Sequence, residues 1–280
     1  MPHTNKHIDE AIENARKAAE NAAERAVREF LAVANQMREK VILMLTQAGT
    51  IDASTAQQIK QQIRSLVMQY EARFSQVLTD NQKRLFVKGI QIVDAAVDSG
   101  RVLRAVPYLS ETTLNTLKAF GADLITNLTE TARARITSVI DLAMMGQKPM
   151  QEVVNEIGRN LKDPSVFGTI ARRSEIIMRT EGNRINQLAT SERIKQVGKQ
   201  IPDLKKRWQH SHLGQPRNGH LDLDGVTIAY DKKFSLEGED GKTYLIAAPY
   251  DPVLPIEETI NCRCKIYPVV GRFEEIPKSK

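Results

Sequence analysis

From Ile8 to Leu45 the chain carries neither glycine nor proline. Ile12, Val27, Phe30, Leu31, Ala34, Met37, Val41 and Leu45 recur there near helical spacing. A second run is stricter. Ile59, Ile63, Leu66, Val67, Tyr70, Phe74, Val77 and Leu78 step by 4, 3, 1, 3, 4, 3 and 1. That is one continuous apolar stripe with polar residues on the opposite face. The pattern extends through Leu85, Phe86, Ile90 and Val93 towards a stop at Ser99-Gly100. Gly49 closes the first run, and Asp52 offers a capping carboxylate to the second. Two long helices joined by so short a loop are expected to form an antiparallel hairpin. Neither can bury its stripe alone, so the pair needs a third element or a neighbouring chain.

The helical texture continues after Pro107 and the Ser110-Glu111 start. Leu114, Leu117, Leu124, Ile125 and Leu128 support a helix, with an interruption expected near Gly121. Ile136, Val139, Ile140 and Met144 carry it to Gly146. Lys148-Pro149 opens a short helix with Val153, Val154, Ile157 and Leu161 on one side. Asp163-Pro164 reads as a capping carboxylate followed by a proline at the first helical position. The helix after it runs to about Gly198. Beyond Pro202, Gly, Pro, Asp and Asn become frequent. β-formers then come in short bursts, at Val226 to Tyr230, Tyr244 to Ile246 and Lys265 to Val270. Asp224-Gly225 and Asp240-Gly241 look like turns, each before a strand. The expectation is a mainly α fold with a small C-terminal α+β cap: long N-terminal antiparallel helices, a helical body and a short irregular β region. The expected divisions are a helical arm over 1–106, a domain over 107–270 with its cap over 201–270, and a tail over 271–280.

Composition narrows the classes. A hydrophobic fraction of 41% excludes a disordered chain. No apolar run approaches the ~18 residues of a membrane span, and the first residues lack the apolar stretch of a secretory signal. Two cysteines in 280 residues exclude a disulfide framework and make a reducing interior the default. The net charge of +6 is local. Residues 165–207 hold Arg172, Arg173, Arg179, Arg184, Arg193, Lys195, Lys199, Lys205, Lys206 and Arg207 against Glu175, Glu181, Glu192 and Asp203. Such a stripe suits phosphate or an acidic protein surface, and equally an ordinary solvated helix face. Arg172, Arg173, Arg184, Arg193, Lys195 and Lys199 are the candidates to face DNA.

Four local features carry what chemistry there is. Arg179-Thr180-Glu181 is either a helix segment paired with its neighbours or a buried Arg–Glu bracket docking the cap. In Arg217-Asn-Gly-His220-Leu-Asp222-Leu-Asp224-Gly225, the turn launches a strand and His220 lies within reach of Asp222 and Asp224. In Asn261-Cys262-Arg263-Cys264, alternation places both thiols on one face. With His220 they make three zinc-type ligands, two S and one N. His210, His212 or water would be the fourth, and two buried free thiols are the other reading. The loop Pro249-Tyr-Asp251-Pro252 and the following Glu257-Glu258-Thr259-Ile260 read as scaffolding. The chain has no glycine-rich phosphate loop, no G-x-S-x-G elbow and no H-E-x-x-H helix.

As an ordered set, these features resemble the phage Mu F-like minor head protein family, the phage head morphogenesis domain, over about Thr129 to Val270. Arg179-Thr180-Glu181 with Asn186 is similar to the family's R-T-E segment. Trp208 matches the aromatic that opens the cap. Arg217, His220 and Leu223-Asp224-Gly225 match its R-x-x-H-x-x-L-D-G turn, and Asn261-Cys262-Arg263-Cys264 its closing N-C-R-C. The short helix after Pro149 is similar to its G-x-[ST]-x-x-x-[IVL] region, with Pro149 and Met150 as departures. Some members carry C-x-x-C where this chain has Arg217 and His220, which would complete a four-thiolate zinc site. Here Arg217 cannot be a ligand and would repel a cation, so the resemblance implies a hydrogen-bonded substitute for the metal clip, with no cofactor or at most zinc.

The resemblance implies a virion protein, not an enzyme. It would sit in few copies in the phage head interior or at the portal vertex, after assembly in the bacterial cytoplasm, and act in head morphogenesis, DNA packaging or ejection. Its partners would be the portal protein, the major capsid or scaffold protein, and packaged double-stranded DNA, with no membrane. The helical arm is the expected contact with those proteins. With ten residues after Val270, the toxin domain that some members carry there is not expected. The competing readings are a nucleic-acid-binding module on the basic helix, and a nuclease or transferase built on His220, Asp222, Asp224, Arg179 and Glu181.

Overall fold

The computed structural model describes the backbone of residues 6–49, 51–97, 111–146, 148–201, 203–212 and 217–270. It describes their side chains too, save those of Lys6, His7, Asp9 and residues 111–120. The expected boundary at 106/107, the Ser99-Gly100 stop, Pro107, Ser110, the tail 271–280 and the side chains of Leu114 and Leu117 lie outside the described residues. The chain is mainly helical with a small strand region at its C-terminal end, as the hydrophobic periodicity predicts. Five helices come first: α1 (Lys6–Ala48), α2 (Ala53–Val97), α3 (Glu111–Met144), α4 (Met150–Ile157) and α5 (Val166–Gly198). Then come β1 (Lys205–Gln209), α6 (Asn218–Asp222), β2 (Thr227–Ala229), β3 (Phe234–Glu237), β4 (Thr243–Ile246), α7 (Ile256–Thr259) and β5 (Lys265–Val269). None of the described helices is long and apolar enough to cross a membrane.

The helix punctuation follows local chemistry. Gly49 takes φ +68° after α1, a left-handed conformation that suits glycine. Asp52 caps α2, accepting the Thr55 N–H at 2.7 Å, and that bond holds its carboxyl below the usual range. Three expectations are corrected. Helix α3 passes through Gly121 without a break, because one glycine in a helix costs only about 1 kcal/mol against alanine and the flanking stripe outweighs it. The cap of α5 is Ser165, whose Oγ accepts the Gly168 N–H at 3.1 Å. The Asp163 carboxylate is instead engaged by the Asn160 amide at 2.9 Å. Leu161 also falls outside α4, which ends at Ile157.

The chain forms two compact units, neither of them a single stretch of sequence. One comprises Glu24–Asn81 and Ser110–Arg179. In it α1 and α2 run antiparallel: Asn81 donates to Glu29 at 3.0 Å, and the Phe30 and Phe74 rings meet at 4.8 Å. Phe30, Ala34, Met37, Val41 and Leu45 face Ile59, Ile63, Val67 and Phe74 from fully buried or nearly buried positions. The third element that this stripe demands is α3. It lies antiparallel along α2, with Thr126 donating to Glu71 at 2.7 Å and Lys60 paired with Asp141 further down. Arg38 holds the end of α4 through the Gly158 carbonyl at 3.2 Å.

The other unit comprises Met1–Ala23, Gln82–Leu109 and Thr180–Lys280. Here α2 and α5 approach closely. A Cβ on Gly89 would overlap the Asn186 carbonyl oxygen, and one on Gly182 would press on Leu85. The close approach admits two hydrogen bonds between helices, Asn186 Nδ2 to the Leu85 carbonyl at 3.0 Å and Thr190 Oγ1 to the Gly89 carbonyl at 3.2 Å. Against these helices sits an antiparallel sheet of order β2-β1-β5, with Lys206 opposite Ile228 and Pro268. A separate hairpin pairs β3 with β4, Phe234 opposite Ile246. Trp208, Phe234, Leu236, Ile246 and Ile266 fill the core between them. The sequence pattern anticipates β2, β4 and β5 and misses β1 and β3. Strand β1 is the central one. Its Lys205-Lys206-Arg207 run reads as part of a basic helix face, but its burial alternates, with Lys206 and Trp208 inward and Lys205 and Arg207 outward.

Candidate functional site

The polar residues singled out in the cap converge on one buried cluster. It begins with α6, a single turn of helix after Arg217. Gly219 lets that turn lie directly on β3, since a Cβ there would overlap the Glu237 carbonyl oxygen. His220 is thereby driven into the core, 2% exposed, with its ring edge-on to Trp208 at 5.8 Å. Its Nδ1 lies 3.5 Å from Cys262 Sγ and 3.5 Å from Cys264 Sγ. Its Nε2 lies 2.9 Å from Glu258 Oε2. All three ligand-type atoms, Nδ1 and the two sulfurs, fall within 4.8 Å of one another. Both cysteines are buried free thiols and Arg263 between them is exposed, as alternation predicts.

Two partners of this cluster are invisible in the motif. Glu258, 3% exposed, takes His220 on one oxygen and the Glu239 N–H on the other at 2.9 Å. Tyr250 donates its hydroxyl to the Cys262 carbonyl, which ties the Pro249–Pro252 loop to the cysteine segment. Burial pushes the Tyr250 hydroxyl well above the ordinary phenol range. The Cys262 thiol is drawn well below its usual value, chiefly by the hydrogen bond from Cys264, with burial opposing and His220 assisting. Cys264 is pushed up by its neighbour Cys262 and by burial. One negative charge shared by two sulfurs accounts for both directions.

Arg217 makes its contacts at the edge of this cluster. Its Nη2 donates to the Ile260 carbonyl at 2.9 Å, and its Nε lies 3.8 Å from Glu258 Oε2. It thus offsets the Glu258 charge and holds α6 to the end of α7. His220 does not pair with Asp222 or Asp224. Asp224 accepts the His210 N–H at 2.8 Å on one oxygen and meets His212 Nε2 at 2.9 Å on the other. The His210 bond holds the Asp224 carboxyl below its usual range, while burial lowers His210 itself. His210 and His212 are therefore occupied at the turn and do not join the sulfur cluster. Gly225 takes φ +77° and donates to the Trp208 carbonyl at 3.0 Å, so the turn is stitched to β1 before β2 begins.

Of the two readings of the R-T-E segment, Arg179 follows the one in which it pairs with a neighbour on its helix, and other residues reach the cap. Arg179 pairs with Glu175 at 2.9 Å on the same helix. Thr180 Oγ1 accepts the Asn261 N–H at 3.3 Å. Arg184 reaches Glu181 at 3.3 Å and Thr259 at 3.5 Å. Gln187 accepts the Ile266 N–H at 2.7 Å, a contact that no motif announces. Glu181 is 1% exposed, and burial raises its pKa against the pull of Arg184. Of the basic residues on α5, Arg193 is buried against Asp94 at 2.6 Å and Arg173 donates to Thr131. Arg172, Lys195 and Lys199 point outward. Helix α5 is buried on most of its circumference, so its cations do not make one continuous exposed stripe.

No family model matches the chain, and no solved structure does. A search of curated proteins finds similarity to a Bacillus subtilis (strain 168) protein described as uncharacterized protein YqbB. The two are 28% identical over 173 residues, covering 59% of this chain. The chain spans about half the length of that relative, 52%.

Chemically, the cluster offers a nitrogen and two sulfurs aimed at one another in a dry pocket of side chains. Its polar groups are consumed by partners within the same unit: Glu258 by His220 and Glu239, Asp224 by the turn, Thr180 by Asn261. The set matches a zinc-type donor list in chemistry, soft thiolates with an imidazole.

Proposed function

We propose that the chain is a structural minor head protein of a bacteriophage, positioned inside the head near the portal and acting in head morphogenesis, DNA packaging or ejection. The observation that carries this reading is the interlocking of the very residues that resemble the Mu F-like family. Trp208, the Arg217/His220 turn, Leu223-Asp224-Gly225, Asn261-Cys262-Arg263-Cys264 and Thr180 hold one another in a closed core. Side chains committed to mutual hydrogen bonds in a core serve shape, and a shape-bearing cap suits a building block better than a catalyst.

The partner contact then belongs to the helical arm. Near the end of the α1–α2 hairpin, Leu43 and Met68 are exposed, and Met44 and Leu66 line a shallow hollow with Gln61, Gln62, Ser65 and Gln69. Apolar side chains at a hollow rimmed by uncharged polar groups suit a protein surface, the portal or a capsid or scaffold subunit. Coexpression with the portal protein of a phage that encodes this chain tests this. The tagged chain is expected to retain portal protein through purification, and the double variant Leu43→Asp, Met68→Asp to lose it while keeping its helical circular dichroism. A well-folded chain that ignores portal, scaffold and capsid proteins alike would contradict the reading.

A further inference from the structure

We propose that Lys206, Lys195 and Lys233 form a binding site for a phosphate group on the cap, with the buried Lys206 ammonium as its floor. The site stands whether or not the chain serves in a virion.

Lys206 is a buried cation without an anion. It projects inward from β1 and is 2% exposed. Its hydrogen bond goes to a neutral acceptor, the Ala247 carbonyl at 2.8 Å, and the Phe234 ring centroid is 5.4 Å away. An ammonium carries three N–H donors, so two are left over. Among the described residues no carboxylate forms an ion pair with it. A charge removed from water without a counter-ion costs stability. An anion arriving from solvent supplies what the fold withholds.

Two further lysines converge on it from other elements. Lys195 lies in the last turn of α5. A Cβ on Gly198, the last residue of α5, would overlap the Tyr230 ring, so the chain leaving β2 lies directly on the helix end. The Tyr230 N–H fixes it there by donating to the Leu204 carbonyl at 3.1 Å. Lys233 follows in the same loop, next to Phe234. Both lysines are exposed, and their charges reach the buried ammonium: burial is the largest cause of its lowered pKa, and Lys195 and Lys233 each add to it.

The opposing charges leave room for an anion. Asp251 accepts the Ala247 N–H at 2.9 Å on one oxygen and the Val253 N–H at 3.2 Å on the other. Glu192 pairs with Lys195 at 2.9 Å, but both ends are exposed, and such a pair is weak enough to yield. Asp231 is the exposed charge that competes with an incoming anion. Ammonium groups are compact point charges that serve phosphate oxygens well, and a tetrahedral phosphate can take one donor from each of three lysines. A phosphodiester of a nucleic-acid backbone and free inorganic phosphate both present that chemistry.

The test is calorimetric titration of the full chain with inorganic phosphate near neutral pH and at constant ionic strength. Phosphate also stabilises proteins generally by exclusion, so saturable binding is the readout. One phosphate per chain is expected. Lys206→Met, which keeps the fold, should weaken binding about 30-fold or more. Lys195→Ala and Lys233→Ala should each weaken it about fivefold, and Asp231→Asn should tighten it about fivefold. That gain is not expected if the lysines are merely structural. A short DNA duplex added to the phosphate-loaded chain separates the two sources: it displaces phosphate if the site takes a phosphodiester and leaves it bound if the site takes the free anion. A folded wild-type chain that binds neither inorganic phosphate nor duplex more tightly than Lys206→Met would overturn the site.

Discussion

Lys206 carries an ammonium group into the core of the cap, where Nζ donates to the Ala247 carbonyl at 2.8 Å and sits 5.4 Å from the Phe234 ring centroid. Burial, with Lys195 adding to it, lowers its pKa from 10.5 to about 8. Between those two values the unfolded chain holds more protons than the folded one, so this residue makes stability rise with pH there. Lys206→Met keeps the length and removes the charge. It is expected to be more stable than the parent at pH 7 by about 1 kcal/mol. The gap should narrow as pH climbs from about 8 towards 10.5, measured by urea denaturation at each pH. A gap that stays constant across that window would mean Lys206 is not the titrating group. At this scale the sequence reveals chemistry but not partnership. His220, Cys262 and Cys264 are legible as a trio because their types and the C-x-C alternation restrict them. Glu258 is not, since it stands beside Glu257 in a stretch that reads as scaffolding, 38 residues from the histidine it holds. For the same reason Arg179 and Arg184 are indistinguishable in sequence, and only the helix phase decides which one reaches Thr259.

Among the elements, the α2–α5 contact is the least tolerant. Gly89 lies against the Asn186 backbone oxygen and the Ala189 side chain, and its own carbonyl accepts from Thr190. A methyl group there has no flexible neighbour to displace, so the helices must separate and lengthen both interhelical hydrogen bonds. Gly89→Ala is expected to destabilise by about 1–3 kcal/mol, although alanine is the better helix former. A denaturation midpoint at or above the parent's would show that the close approach is not maintained. The hydrophobic stripes make the long helices readable, because a period repeated over many turns leaves few alternatives. The cap is harder. Strand β1 hides behind three consecutive cations, and β3 spans only four residues. The N-cap of α5 is ambiguous for a related reason: Asp163 and Ser165 flank the same proline, and both residue types cap well.

For the whole molecule, the α1–α2 hairpin finds its third element in α3, and the cap finds its support in the C-terminal turns of α5. Both needs are visible in the sequence; which segments meet them is a long-range matter that periodicity does not encode. Under the proposed function, the motif residues build a rigid cap and the chain would be a component of a phage head. Quantitative mass spectrometry of purified particles, from a phage encoding this chain, tests that claim most directly. The account predicts that the chain is found in the particles at a few copies each, with a particle-bound fraction that survives washing in high salt. Particles that assemble and package DNA normally while containing none of it would contradict the account.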